Sequence, residues 1–410
     1  MTQRRKLSAE VAIAGGGIMG CASAYYLARR GVKVVLLEKS AIGAEASGHN
    51  SGGVRQQSRD ARERPLAIAS VKLWEGLDAE LGFDTEYVQG GNIHLAVNEE
   101  RMQALRQMAE EELAAGLPVE IWEREVLRRR APYLGDVFVG AKYCRTDGVA
   151  NPLIAARAFG WAARRAGALL LPRTEVVDIQ VRFGAVTGLT GQDRDGEIIV
   201  EAPQVIHACG PWTPLLSRRI GIDLPLWSVR YVVAVTQRVQ PFFTEFILGA
   251  VHGPRDEARY ALGADGIDPE DLEQLGVRPA RDGHIHIGGV ATPDTFDDGA
   301  SPRALHQLAR RVIRMVPSLR EVSFLHSWAR LIQMTPDQVP IIGPVEGIRG
   351  YILAVGFSGH GFCLGPIVGK LLSELILDGE PSLSLNEFRL SRFAGTMPVE
   401  VSQDGSKEQL

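Results

Sequence analysis

The sharpest change of hydrophobic period along the chain falls in residues 10–39. Val11-Ala-Ile-Ala14 is an unbroken apolar run, and Gly15-Gly-Gly-Ile-Met-Gly20 follows it. Small residues then run from Cys21 to Arg30, and a second apolar run extends from Val32 to Leu37. Unbroken apolar runs of this length suit strands buried on both faces. Gly31 stands where a helix C-terminus takes a left-handed residue. The pattern predicts strand, glycine turn, helix and strand, a βαβ unit.

Beyond Arg55 the pattern changes. Helical spacing covers about 60–81, 99–115, 152–166 and 303–316, the last with Leu305, Leu308, Ala309, Val312, Ile313 and Val316 on one stripe. Alternation over 85–97, 184–201, 228–236, 245–249 and 284–290 suits antiparallel sheet, with Asp195-Gly196 and Asp282-Gly283 as turns. Buried strands are expected at Leu169–Leu171, Val176–Ile179, Val205–Ala208 and Tyr351–Val355. A second glycine cluster and a helix bearing Ile367, Val368, Leu371, Leu372 and Leu375 follow the last of these. Parallel α/β pieces therefore occur at the start, middle and end, with antiparallel material between them. Two domains interleaved in sequence account for that order.

Composition narrows the function. The 410 residues allow two to three domains at roughly 150 residues each. With 45 Lys+Arg against 49 Asp+Glu, the net charge of −4 gives no broad basic field, which argues against nucleic acid. The 4 cysteines form no C-x-x-C pair, so neither a zinc knuckle nor a disulfide framework is expected. His284-x-His286 lacks a third ligand, and no metal site is expected. No apolar run is long enough to span a bilayer and no secretory signal precedes the first strand, so a cytoplasmic setting is expected. Of the 45 glycines, nine lie between residues 15 and 53 and eight between 343 and 369, so much of the excess sits in two places.

The first of these is a dinucleotide fingerprint in its required context, Gly15-x-Gly17-x-x-Gly20 between strand and helix. Gly15 permits the tight turn, Gly17 the approach of backbone to a pyrophosphate, and Gly20 the packing of helix on strand. The N-terminus of the helix expected from about Cys21, with Ile18 and Met19 in the turn before it, offers free N–H groups and a partial positive charge to phosphate. Glu38, followed by Lys39, ends the second strand, where an acid accepts from ribose hydroxyls and repels a 2′-phosphate. The motif alone leaves NAD and FAD open. Gly356-Phe-Ser-Gly-His-Gly-Phe-Cys363, a second strand–glycine–helix turn, favours FAD: backbone amides there would stabilise the charge that a flavin gains on reduction.

Further motifs carry a resemblance. Beside the fingerprint stand Ala46-Ser-Gly-His-Asn-Ser-Gly-Gly-Val-Arg55, Thr174-x-Val176, Ala208-Cys-Gly-Pro-Trp212, Met334-Thr-Pro-Asp337 with Pro340-Ile-Ile-Gly343, and Gly356–Phe362. With these the chain resembles the D-amino-acid oxidase superfamily of FAD enzymes, in its sarcosine oxidase β-subunit-like branch. The resemblance implies a glutathione-reductase-like Rossmann FAD-binding domain interleaved with a mixed, largely antiparallel α+β substrate domain. The expected division is 1–60, 147–215 and 326–395 for FAD, 61–146 and 216–325 for substrate, and a flexible tail over 396–410. It also implies oxidation of the C–N bond of an amino acid or N-alkyl amino acid by hydride transfer to flavin, leaving an imine. Ser47, Asn50, Ser51 and Gly52 match the loop along the flavin, Val176 the adenine contact, and Cys209, Gly210 and Trp212 the second cofactor turn. Gly356, Gly359, His360, Gly361 and Phe362 match the flavin side. Arg55 matches the arginine that binds the substrate carboxylate, a role its bidentate fork suits.

The chain also departs from that pattern. Arg330 stands at the position of the cysteine that bonds flavin covalently in monomeric sarcosine oxidases, so non-covalent FAD is expected. Cys363 replaces a carboxylate-binding lysine, and His286 falls near the lysine that activates oxygen. Asn151 falls where a histidine anchors a second flavin, so covalent FMN is not expected. Arg55, His360, Cys363 and His286 are the catalytic candidates. The acceptor is oxygen or another oxidant. The alternative reading is a β-type flavin subunit of a hetero-oligomeric opine, hydroxyproline or glycine dehydrogenase, active only with partner subunits.

Overall fold

The structure, a computed structural model, describes residues 4–249, 275–292 and 299–394. The tail expected over 396–410 lies outside the described residues. Strands Val11–Ala14, Val34–Glu38 and Tyr351–Val355 are buried at every position, as their unbroken apolar runs require. They belong to a six-stranded sheet in the order Ile341–Pro344, Tyr351–Val355, Gln204–His207, Val11–Ala14, Val34–Glu38, Leu169–Pro172. All neighbours pair in parallel except Ile341–Pro344, which runs antiparallel at one edge.

One face of this sheet is covered by helices Ile18–Ala28, Arg64–Leu81, Pro152–Arg165 and Gly361–Asp378, which share one apolar core. The first and last of these approach closely because the sequence is small there. A Cβ on Gly369 would meet the Ala22 backbone at 2.6 Å, and one on Gly365 would meet Ile18 Cγ1 at 2.6 Å. The other face packs on a second core with a four-stranded sheet ordered Arg5–Ser8, Gly196–Glu201, Ala185–Asp193, Glu175–Arg182.

The antiparallel material forms an eight-stranded sheet. Its order is Phe324–Met334, Trp227–Thr236, Ile285–Thr292, Gly276–Pro279, Phe246–Leu248, Asn92–Ala96, Gly140–Cys144, Val119–Glu123. Only Phe246–Leu248 with Asn92–Ala96 pairs in parallel. Helix Pro302–Met315 lays its apolar stripe on this sheet, started by Pro302 and by Ser301 Oγ, which accepts from Ala304 N at 3.1 Å. A short pair, Gly53–Val54 with Gly148–Val149, ties the two halves where the chain crosses between them.

Two boundaries differ from the sequence expectation. The first helix begins at Ile18 rather than near Cys21, because the last fingerprint glycine lies inside its first turn. The helix expected from residue 60 begins at Arg64, where Pro65 is accommodated in the first turn.

Candidate cofactor and substrate site

At the C-terminal edge of the parallel sheet the chain turns at Gly15, whose φ of +104° favours glycine. A Cβ there would lie 2.3 Å from the Ala208 carbonyl oxygen. Cβ atoms on Gly17 and Gly20 would lie 2.8 Å from Ser47 Oγ and 2.0 Å from the Gly15 carbonyl oxygen. The turn is therefore a bare backbone cradle. Ser47 Oγ accepts from Ile18 N at 3.0 Å, so the 46–55 loop is seated on the start of the helix. The Ile18 and Met19 side chains point into the core and offer the cradle only their backbone.

Glu38 closes the cradle. Its carboxylate accepts from Gly16 N at 2.6 Å and from Ser40 N at 2.8 Å. Each oxygen keeps a further lone pair for a hydroxyl donor. Burial raises its pKa, and the two backbone donors oppose that rise. Lys39 sets its ammonium 3.0 Å from the Trp212 ring centroid, a cation–π contact. Gly15, Gly17, Glu38, Val176, Cys209 and Gly210 line one cavity of about 240 Å³ with this pair. The residues fit the nucleotide part of FAD: bare backbone for phosphate, an acid for ribose, and Val176 with Trp212 as apolar walls.

A second cavity of about 600 Å³ adjoins the first, and Ala46 lines both. Its walls come from the 46–60 loop, the eight-stranded sheet through Tyr231 and Ile332, and the turn at Ser358–His360. Asn50 and Ser51 lie on this wall, but the Asn50 side chain also staples its own loop. It donates to the Ala46 and Ser47 carbonyls at 3.0 and 2.9 Å and accepts from Gly52 N at 2.7 Å. Gly359, His360 and Phe362 line the cavity, whereas Gly52, Gly356 and Gly361 stand behind it. A Cβ on Gly52 would meet the Ala150 carbonyl oxygen at 2.3 Å, and one on Gly361 would meet Phe357 Cβ at 2.5 Å. Gly356 N donates to Gln333 Oε1 at 2.9 Å.

Arg55 enters this cavity with its fork already anchored. Nη1 donates to the Gln57 and Ser58 carbonyls at 2.7 and 3.0 Å. Burial, and then the neighbouring Arg59, lower its pKa to about 10, so it remains a cation at neutral pH. Asp147 faces it; burial pushes that carboxyl up to about 6, against Gln56 N, which donates at 2.8 Å. Arg59 joins the loop to the far turn, donating to His360 Nδ1 at 2.8 Å, to the His360 carbonyl at 3.0 Å and to the Arg55 carbonyl at 3.0 Å. Glu63 lies beneath, 3.3 Å from His360 Nδ1 and 3.7 Å from Arg59 Nη1.

Two of the four catalytic candidates stand apart from this wall. Cys363 is fully buried on helix Gly361–Asp378, and its carbonyl accepts from Trp74 Nε1 at 2.9 Å. Burial pushes its thiol up to about 11, so it offers no charge to a carboxylate. His286 lies on the sheet with its ring 6.2 Å from that of Trp328, and burial, with Arg278, holds it neutral. Arg330 does line the larger cavity, donating to the Ala329 carbonyl at 2.7 Å and lying 3.7 Å from Glu45. Among the described residues, no group of metal-ligating side chains is present and no helix is long and apolar enough to cross a membrane. Sequence reasoning missed Arg59, Glu63 and Asp147. The spacing Arg55, Arg59, Glu63 was a signal, yet its meaning depends on His360, 301 residues from Arg59.

Comparison with known proteins agrees with this geometry. A family model described as FAD dependent oxidoreductase (DAO) matches residues 10–375. Glycine oxidase of Geobacillus kaustophilus is 30% identical over 400 residues, covering 95% of this chain and 99% of that protein. A crystal structure of glycine oxidase from that organism superposes with a TM-score of 0.83 at 28% identity, covering 94% of this chain and 99% of the other. L-proline dehydrogenase from P. horikoshii gives a TM-score of 0.83 at 27% identity, covering 95% and 98%. Mitochondrial dimethylglycine dehydrogenase of Rattus norvegicus is 28% identical over 418 residues, covering 98% of this chain but 46% of that longer protein.

Proposed function

Since the chain belongs to the DAO family of FAD-dependent oxidoreductases, we propose that it oxidises the C–N bond of an amino acid or N-alkyl amino acid whose carboxylate binds Arg55. The observation that carries this reading is the Arg55 guanidinium, a cation fixed by two carbonyls in the wall of the larger cavity. Bound FAD supplies the acceptor for the hydride that leaves the carbon next to nitrogen. The protein's part is to position and to exclude water. Arg55 fixes the carboxylate end, and a fixed carboxylate determines which C–H faces the acceptor. Tyr231, Ile332 and Met334 form the wall from the sheet. Arg330, at the position of the flavin-bonding cysteine, lies on the wall of this cavity and cannot form a thioether to flavin, which supports non-covalent FAD.

The relatives named as an oxidase and as dehydrogenases leave the electron acceptor as a further choice. Among the described residues no lysine lines the larger cavity, which favours an acceptor other than oxygen, supplied by a partner protein or a soluble carrier. The test is an anaerobic screen of amino acids and N-alkyl amino acids against the FAD-loaded protein, followed by admission of air. Bleaching of the flavin band by one of them, with slow recovery in air and fast recovery with an artificial dye, is the expected outcome. Bleaching by no amino acid would overturn the proposal.

A further inference from the structure

The buried Glu63 carboxylate has no use in the binding of substrate described above. Its side chain is 1% exposed, and its Oε1 accepts no hydrogen bond among the described residues. A buried carboxylate with an unfilled acceptor is costly unless a proton-bearing partner is at hand. The group at hand is His360, whose Nδ1 lies 3.3 Å from that oxygen. His360 lines the larger cavity at the turn before helix Gly361–Asp378.

Nδ1 of His360 stands between a donor and an acceptor. Arg59 Nη1 donates to it at 2.8 Å, which leaves the ring proton on Nε2. Moving the ring proton to Nδ1 would satisfy Glu63 Oε1 and free the Nε2 lone pair. That exchange breaks the 2.8 Å bond from Arg59, which must draw back from Nδ1 while keeping its bonds to the His360 and Arg55 carbonyls at 3.0 Å each. Burial holds the His360 imidazole below its ordinary pKa, and of the charged groups facing it, Glu63, Arg59 and Arg55, Glu63 alone opposes that fall.

An amino acid arrives with its amine protonated, and a hydride can leave its carbon only as the nitrogen lone pair forms the imine bond. On the reading that this cavity takes an amino acid, we infer that the Glu63–His360 pair accepts the ammonium proton of the substrate, at Nε2 of His360. The N–H bond of the ammonium breaks, its electron pair stays on nitrogen, and the imidazole becomes an imidazolium whose Nδ1–H points at Glu63. No electrons move in this step. Glu63 balances the charge at the imidazole, as the substrate carboxylate balances Arg55.

The test uses the FAD-loaded protein labelled with ¹⁵N-histidine, its His360 signals identified by their loss in His360→Gln. Glu63→Gln is expected to lower the His360 pKa by about 1–3 units, the effect of an opposite charge within a few ångströms. The acid limb of the anaerobic rate of flavin reduction should move by the same amount, and Glu63→Asp should return part of both. His360→Gln, which also removes the Nδ1 contacts with Arg59 and Glu63, should slow reduction by roughly 100-fold or more and abolish that limb, within the range for general base catalysis. An unmoved His360 titration in Glu63→Gln, or an unchanged rate and limb in His360→Gln, overturns this inference while leaving the proposed function standing. Reduction by no amino acid overturns both.

Discussion

Arg55 meets the larger cavity with two of its hydrogen bonds already directed at backbone carbonyls, so its fork is oriented before any ligand arrives. A charge-assisted contact to a carboxylate is worth roughly 1.5–3 kcal/mol. Arg55→Ala should therefore lower kcat/KM by roughly 10- to 150-fold while the purified protein keeps its FAD absorbance. Unchanged turnover would remove Arg55 from the substrate site. Asp147 gives a prediction on stability. Its folded pKa, raised to about 6 by burial, exceeds the roughly 3.9 of an unfolded Asp. The unfolded state therefore loses its proton first, and the contribution of Asp147 falls as pH rises from about 4 to about 6. Asp147→Asn should gain stability relative to the parent across that window, by up to about 3 kcal/mol. Urea unfolding of both proteins at pH 4 and pH 7 checks this; a constant difference would contradict it.

The first helix shows what was legible at the level of elements. The fingerprint glycines, the apolar runs and Glu38 could be read because each answers a local need: a left-handed turn, a strand buried on both faces, acceptors near the turn. The structure adds that the same small residues let this helix touch Gly361–Asp378, more than 330 residues later. Gly369→Val should destabilise by about 1–3 kcal/mol through overpacking against Ala22, measured as a fall in the urea midpoint with unchanged slope. The Arg59–Glu63–His360 group was not legible. Arg59 reads as one charge among many in a polar loop, and only the fold brings His360 over it. Cys363 shows the opposite case, since its place in the glycine motif suggested chemistry, while helix packing turns its thiol inward.

Two cavities that share Ala46 as a lining residue extend from the edge of the parallel sheet to the face of the antiparallel one. That arrangement explains why the chain interleaves its two kinds of sheet: cradle, flavin loop and far turn must converge from residues 15, 47 and 359. With Arg330 on the wall of the larger cavity at the position of a flavin-bonding cysteine, acid precipitation of the loaded protein should leave its flavin in the supernatant. Yellow colour retained in the pellet would show a covalent bond. On the proposed function, these cavities serve oxidation of a substrate held by its carboxylate. The most direct measurement pairs the amino acid that bleaches the flavin anaerobically with the amine lacking only its carboxylate. Reduction by the amino acid at least tenfold faster, with the difference lost in Arg55→Ala, is the predicted result. Equal rates for the two in the parent protein would contradict the account.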